Sequence, residues 1–381
     1  MKGVTGPLPD LDLLRVRDCL RELLAIPSPS GFTDEVVRYT CGRLDEIGIP
    51  YEITRRGAIR ADLRGEINSP DRALVAHLDT IGAMVAGLKD NGRLRVSPVG
   101  TWSARFAEGA RVTVFSDEQP YRGTILPVKA SGHIYNEEID QLPVSWDNLE
   151  LRVDELCHNK ADLRALGIDV GDFVAMDASP DFCARGFINA RHLDDKAGVA
   201  VLLVLAETVV RAGLHLPVDC HLLLTISEEV GSGASAVLHG DVAEMVTIDT
   251  GPSAPGQSTD EYGVAVCMKD STGPFDYHLT RRLIELCRHR DIPCRRDIYT
   301  HYRCDSASAV EAGNDIRTAL VCFGTDASHG YERCHEDSLQ ALGRLLLAYV
   351  MSPVLFRRDR SELGGLEGFP TLPVGHQDQA G

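Results

Sequence analysis

Three short apolar strands, over residues 73–76, 221–226 and 245–248, each run directly into polar residues that can do chemistry. A long helical stretch, residues 197–212, lies between the first two. This alternation constrains the fold more than any other feature of the chain. Strands separated by helices imply an α/β core built on a mostly parallel sheet. Leucines at helical spacing in LDLLRVRDCLRELLA, residues 11–25, predict an amphipathic helix, which Pro27, Pro29 and Gly31 terminate. Thr33 then opens a second helical pattern that continues through Asp45.

The middle of the chain has a different grain. From 85 to 181, short alternating strands (RVTVF, YRGTILPV, LELRV) are broken by many Gly, Pro and Asp residues. The pattern predicts a small β-rich domain over 85–181, inserted into a discontinuous α/β domain formed by 1–84 and 182–356. After Pro353 the sequence turns polar and rich in Gly and Pro, so 357–381 is expected to be a flexible tail. A length of 381 residues suits one large domain plus a smaller one.

Five segments carry candidate chemistry. The first is Ala76-His77-Leu78-Asp79-Thr80, where an extended backbone would point His77 and Asp79 to one face, as a metal-bound imidazole and its orienting carboxylate require. A lone H-x-D is more often a plain hydrogen-bonded pair. The second is Leu193-Asp194-Asp195-Lys196 at the start of the long helix. One aspartate there would serve as a helix cap, but two adjacent ones exceed what capping needs. The third and sharpest is LLLTISEEVGSG, residues 222–233, an apolar strand passing into two carboxylates and a glycine-rich turn. Neighbouring side chains on an extended backbone diverge, so one of Glu228 and Glu229 can ligate a metal while the other faces the metal-bound water as general base. A solvated acidic loop is the plain alternative. The fourth is Asp249, ending the strand at 245–248, and the fifth is a loop holding both His329 and His335. Oxygen- and nitrogen-rich ligation without cysteine suits two divalent ions that share a carboxylate. In open α/β sheets, strand-to-loop junctions of this kind are where sites are built.

The ordered set H-x-D, D-D, E-E, D, H resembles the dinuclear aminopeptidases of the glutamyl-aminopeptidase and tetrahedral (deblocking) aminopeptidase family, from about Leu13 to about Pro353. The resemblance implies that His77 and Asp249 bind one metal and Glu229 and His329 the other. Asp194 would bridge the two ions, Glu228 would be the general base, and Asp79 would orient His77. Cys304-Asp305-Ser306-Ala307-Ser308 stands where the family carries a threonine-aspartate-alanine motif near the site. One departure concerns the last histidine, which in the family follows an arginine-tyrosine pair and precedes serine. Here the segment reads Ser328-His329-Gly330-Tyr331. Spacing after Asp305 favours His329, with His335 as the competitor. The variant ending also resembles a subfamily tied to an osmoprotectant, N-acetylglutaminylglutamine amide, which points to a small N-blocked peptide as substrate. Oxygen and nitrogen ligation admits zinc, cobalt or manganese as the metal, zinc being the first expectation. The resemblance also implies homo-oligomers, from dimers formed through the inserted domain up to a tetrahedral dodecamer.

Metal-assisted amide hydrolysis of short peptides is therefore the expected activity. Related co-catalytic carboxypeptidases and deacylases use a similar ligand order but insert their extra domain between the fourth ligand and the last histidine. Here 115 positions separate Asp79 from Asp194, against 80 from Asp249 to His329, which favours the aminopeptidases. A non-catalytic binding protein on the same fold would be expected to lack a ligand or the base, and none is missing. The net charge of −17 argues against nucleic-acid and anionic-membrane partners. The opening MKGVTGPLPDLDLL has no signal-peptide pattern, and the longest apolar run, around 199–206, is too short to cross a bilayer. Eleven cysteines without a C-x-x-C pair fit a reducing, cytoplasmic setting.

Overall fold

The leucine-rich segment at the start forms α1 (Leu13–Leu24), capped by the Asp12 side chain, which accepts from the amides of Leu14 and Arg15. The second helical pattern forms α2 (Asp34–Ile47), closed by Gly48 in the left-handed conformation at φ 82°. Both belong to a computed structural model that describes residues 8–360 and 363–370. Three strands follow: β1 (Tyr51–Ile53), β2 (Ile59–Leu63) and β3 (Asp71–His77).

Immediately after β3 the chain leaves the main sheet and closes a six-stranded barrel. Its strands are β4 (Gly82–Leu88), β5 (Leu94–Val99), β6 (Arg111–Phe115), β7 (Pro120–Pro127), β8 (Leu149–Val153) and β9 (Phe173–Met176). They close in the order β4-β5-β8-β7-β6-β9. Two short helices, α3 (Gly132–Tyr135) and α4 (Lys160–Ala165), lie in the connections around β8. Alternation in RVTVF buries Val112 and Val114, which join Val85, Leu94, Ile125 and Leu151 in a core of the barrel's own. The expected inserted β domain is thus a closed barrel, and closure leaves no sheet edge unpaired within it.

The chain returns through β10 (Asp181–Phe182) and β11 (Phe187–Ala190) into α5 (Leu193–Arg211). This helix carries apolar side chains on nearly every face and is correspondingly buried from Leu193 to Ala206. It packs on β3 and on β13 (Val242–Ser253), with α1, α2 and the C-terminal helix α8 (Glu336–Val350) around it. The remaining elements are β12 (Cys220–Thr225), β14 (Val264–Asp270), β15 (Gly273–Pro274), α6 (Tyr277–His289), β16 (Cys294–Ile298), α7 (Asp305–Glu311), β17 (Arg317–Asp326) and β18 (Glu332–His335).

The main sheet runs β1-β2-β12-β3-β13-β17-β18-β11-β10, with β14 also paired to β17. Parallel pairing occupies its centre, where β12, β3, β13 and β17 lie side by side. The flanks, β1-β2-β12 on one side and β17-β18-β11-β10 on the other, pair antiparallel. Every residue of β3 and β12 is buried, as befits strands covered on both faces. All the carboxyl ends of the four parallel strands therefore open on one edge.

Of the tail expected over 357–381, residues 361–362 and 371–381 lie outside the described residues. Arg357–Arg360 form a single 3-10 turn, held to the body by Asp359, which pairs with Arg317 at 2.8 Å.

Candidate metal centre

His77 is the last residue of β3, in register with Thr225 at the end of β12. Past Thr225 the backbone leaves the sheet within three residues, so Glu228 and Glu229 arrive at the same edge. Asp249 lies on the neighbouring strand β13, and Asp194 at the start of α5. His329 comes from the loop between β17 and β18. The site is thus assembled at the carboxyl ends of the parallel strands, where neighbouring connections diverge and leave a crevice.

Asp194 sits between the two histidines. Its Oδ1 is 3.1 Å from Nε2 of His77, and its Oδ2 is 3.4 Å from Nε2 of His329. Glu229 Oε2 also approaches His329 Nε2, at 3.3 Å, and Glu228 Oε2 stands 4.0 Å from His77 Nε2. One ligand atom each from His77, Asp194 and Glu229 all lie within 4.8 Å of one another. Asp194 does not cap the helix: it and Asp195 have non-helical backbone angles, and the peptide between them is cis.

The two histidines in the fifth segment part company. His335 caps α8, accepting from the Asp337 amide at 3.1 Å, and its other ring nitrogen meets the Arg185 carbonyl at 2.9 Å. Its ring packs on Phe187, away from the acidic cluster. Between the two candidates, only His329 is brought to the site.

Asp79 departs from the expected geometry. Its carboxylate is 3.8 Å from His77 Nδ1, beyond hydrogen-bond reach, while its main-chain carbonyl meets that nitrogen at 2.8 Å. The reason is that β3 ends at His77, so Leu78 and Asp79 no longer alternate as in a strand. The Asp79 carboxylate turns instead to the glutamate turn, accepting from the amides of Glu228 at 3.1 Å and Glu229 at 3.3 Å and from the Ser30 hydroxyl at 2.5 Å. It therefore orients the paired glutamates, and the carbonyl of the same residue sets the tautomer of His77.

Three further acidic residues support the cluster without having been assigned roles from sequence. Glu332 accepts from the His329 amide at 2.8 Å and the Asp194 amide at 3.2 Å, tying together two loops 135 positions apart. Asp195 accepts from the His77 amide at 3.2 Å. Asp305 accepts from the Thr225 hydroxyl at 2.6 Å and the Ala234 amide at 2.8 Å, bracing the far side of the glutamate turn. Each carries some signal in the sequence: Asp195 as the second of two adjacent aspartates, Asp305 in the segment that matches the family's motif near the site, and Glu332 by its place three residues after His329. The barrel also contributes: the Thr101 carbonyl, just beyond β5, meets Nδ1 of His329 at 2.9 Å.

Asp194, Asp195, Glu229, Asp249, Asp305 and Glu332 are all buried around two imidazoles. Burial pushes the carboxyls of Glu228, Glu229 and Asp249 up, and neighbouring carboxylates add to it, Asp249 and Asp305 acting on Glu228 and Asp194 on Asp249 and Glu229. For Asp194 burial works in the same direction, but hydrogen bonds from His329 and His77 outweigh it and hold its carboxyl below the ordinary range. Burial opposes the charge on His77 and His329, yet the surrounding acids raise both, with Asp194 foremost. A dry concentration of negative charge of this size is what divalent cations relieve, and its donors are the oxygens and imidazole nitrogens such ions take.

A sequence profile described as M42 glutamyl aminopeptidase matches residues 57–345, most of the chain and every residue of the cluster. The chain belongs to the M42 glutamyl aminopeptidase family. It is accordingly a peptidase of the aminopeptidase class. YhfE of Bacillus subtilis (strain 168), an aminopeptidase by name, is 37% identical over 342 residues, covering 90% of this M42 chain and 99% of YhfE. Among solved structures, the aminopeptidase APDkam598 of the archaeon Desulfurococcus kamchatkensis superposes with a TM-score of 0.81 at 22% identity, covering 93% of this chain and 99% of that one. The TET1 peptidase of Pyrococcus horikoshii superposes with a TM-score of 0.78 at 20% identity, over 88% and 99% of the two chains. These superpositions show a shared fold.

Proposed function

We propose that this M42 peptidase hydrolyses short peptides from their amino ends with two divalent ions held at the sheet edge. His77 and Asp249 would hold one ion, Glu229 and His329 the other, and Asp194 would bridge them. The carrying observation is the position of Asp194, whose two carboxylate oxygens are each turned to a different histidine. A carboxylate in that position is shared by two ligand sets. Zinc, cobalt and manganese all accept this donor set, zinc being the first expectation. Bound there, the ions would polarise a substrate carbonyl and make a water acidic enough to attack at neutral pH.

Glu228 is the proton carrier in this reading. Its main-chain amide is fixed by Asp79, and its carboxylate reaches towards the cluster without a hydrogen-bond partner in common with Glu229. Glu228 takes the proton of the attacking water as the oxygen adds to the carbonyl carbon. It then delivers that proton to the leaving nitrogen as the C–N bond breaks. Asp79 and Glu332 act as positioning residues, one on the glutamates and one on Asp194 and His329.

The test pairs metal content with hydrolysis of short peptides, free and N-blocked, including an N-acetylated glutamine dipeptide amide, in zinc, cobalt or manganese. Glu228→Gln is expected to keep its metal and lose turnover by about 10²–10⁴-fold. Full turnover in that variant, or a purified protein that takes up no divalent metal, would refute the reading. The free-versus-blocked comparison decides whether the osmolyte-type peptide is a substrate.

The Pyrococcus horikoshii TET1 peptidase is described as assembling into a tetrahedron or a large octahedral shell. We extend the homo-oligomeric habit to this chain, from a dimer up to a dodecamer, with light scattering as the check. Eleven cysteines, all with free thiols, support placement in the reducing cytoplasm. No described helix is long and apolar enough to cross a membrane.

A further inference from the structure

At the opposite edge of the main sheet lies a second group of ligating side chains. His221 is the second residue of β12, while the glutamates follow the end of that strand, so the four steps from His221 to Thr225 alone part the two places by about 13 Å at about 3.3 Å per residue. Asp62 comes from β2, antiparallel to β12, and His221 is its register partner. His239 comes from the loop entering β13.

Both imidazoles converge on one oxygen. Nδ1 of His221 is 2.7 Å and Nε2 of His239 is 3.2 Å from Oδ1 of Asp62, and the rings lie 4.1 Å apart. One atom from each of the three residues falls within 4.8 Å of the others. Ligand atoms around a tetrahedral ion with bonds of about 2.0–2.1 Å sit about 3.3 Å apart, so a small opening of this cluster would admit one.

The surroundings are those of a built site. The far nitrogen of His221, Nε2, meets Oδ2 of Asp71 at 3.1 Å, and Asp71 also accepts from the Asp241 amide at 3.0 Å. A carboxylate behind a histidine is the usual device for fixing which ring nitrogen faces a metal. Asp71 is buried, and its other oxygen, Oδ1, has no hydrogen-bond partner. The other oxygen of Asp62 is held by Arg64 at 3.2 Å. Gly240, at φ +68°, brings the loop so close that a Cβ there would stand 2.5 Å from Asp71 Oδ2 and 3.0 Å from His221 Nε2. Arg60 fixes the same loop through the carbonyls of Ala236, Val237 and Leu238. Asp62, Asp71, Asp219 and Asp241 outnumber the local guanidiniums of Arg60 and Arg64, which leaves a negative surplus for a cation to neutralise.

We propose that Asp62, His221 and His239 bind one divalent transition-metal ion of the zinc class, oriented by Asp71, as a structural clamp between β2, β12 and the 238–241 loop. Two imidazoles and one carboxylate suit zinc, and the partial exposure of Asp62 and His239 leaves room for a water as fourth ligand. This site is independent of the catalytic reading and stands or falls without it.

The experiment strips the full-length protein with chelator, titrates it with zinc alone, and counts bound ions by plasma mass spectrometry after gel filtration. His239→Gln and Asp62→Asn are each expected to bind one zinc fewer per chain than the wild type while keeping peptide hydrolysis. In Asp194→Asn, which disables the proposed catalytic centre, one zinc should remain. Its X-ray absorption spectrum should show two imidazoles, and adding His239→Gln should remove it. If either single variant misfolds by circular dichroism, the spectrum of Asp194→Asn alone decides. Equal zinc counts in wild type, His239→Gln and Asp62→Asn would overturn the proposal, as would an Asp194→Asn protein whose remaining zinc has other ligands or is absent. The cluster would then be a hydrogen-bonded network only.

Discussion

Replacing Glu332 should uncouple the two halves of the metal centre although the residue touches no proposed substrate position. Its two oxygens accept from the amides of His329 and Asp194, and the side chain is buried. Glu332→Ala leaves both amides unpaired, at about 1–3 kcal/mol each, so the loss of stability should total about 2–6 kcal/mol. Glu332→Gln keeps one acceptor and turns an NH2 group towards the other amide, which should cost roughly half as much. Groups that orient metal ligands change metal affinity or activity by about 10–100-fold when removed, and a loss of that size is expected in both variants. Without ions the Glu332 carboxyl is pushed up to about 8, by burial first and by the charge of Asp194 second. The comparison therefore belongs on zinc-loaded protein, where the opposing cations favour the carboxylate. Chelator competition reads the affinity, urea unfolding the stability and peptide hydrolysis the kcat/KM. A Glu332→Ala protein with wild-type zinc affinity and turnover would show that the two loops hold their geometry without it, and the positioning argument would be wrong.

His329→Ala should lower bound metal and abolish hydrolysis, whereas His335→Ala should keep both and lose about 0.5–2 kcal/mol, the ordinary worth of a helix cap; metal analysis and thermal unfolding separate the two. Gly324→Ala should destabilise the protein by at least the ~3 kcal/mol upper range of overpacking, because a Cβ there would lie 1.8 Å from the Asp260 carbonyl oxygen; a wild-type melting temperature would contradict it. In the barrel, burial raises the Glu150 carboxyl, but bonds from Lys89 and from Arg93 at 2.6 Å outweigh it and leave it below its ordinary value near 4.5. A lowered folded-state value means the unfolded chain binds the proton more readily. Its contribution is thus complete above pH 4.5 and is lost as the pH falls through the folded value. Urea titrations from pH 7 down to pH 3 should show a steeper acid decline in the wild type than in Glu150→Gln, and parallel curves would refute it.

Much of the architecture was legible in the chain because it depends on short-range pattern. Apolar runs ending in a histidine or in acids marked β3, β12 and β13, and the change to short broken alternation marked the barrel. Hydrophobic burial acts on such patterns residue by residue, so their periodicity survives in the sequence. The order of candidate residues was readable for the same reason, since each stands where a strand or helix begins or ends.

What the sequence could not specify were directions and partners that depend on distant backbone. Spacing favours His329 over His335, but no local pattern shows where either ring points. They differ because β18 pairs with β11, which draws His335 against Phe187 and leaves His329 facing Asp194. Asp79 looked like the orienter of His77, yet the strand ends two residues before it, so alternation does not hold and its carboxylate serves the glutamate amides. Glu332, Asp195 and Asp305 acquire roles only because folding buries amides and hydroxyls that need acceptors, a demand no local pattern records. The chain by itself thus determined which elements form and which acids and histidines stand at their ends. Tertiary structure decided which of those side chains meet, because hydrogen-bond partners across a sheet edge are set by strand order and register rather than by neighbouring residues.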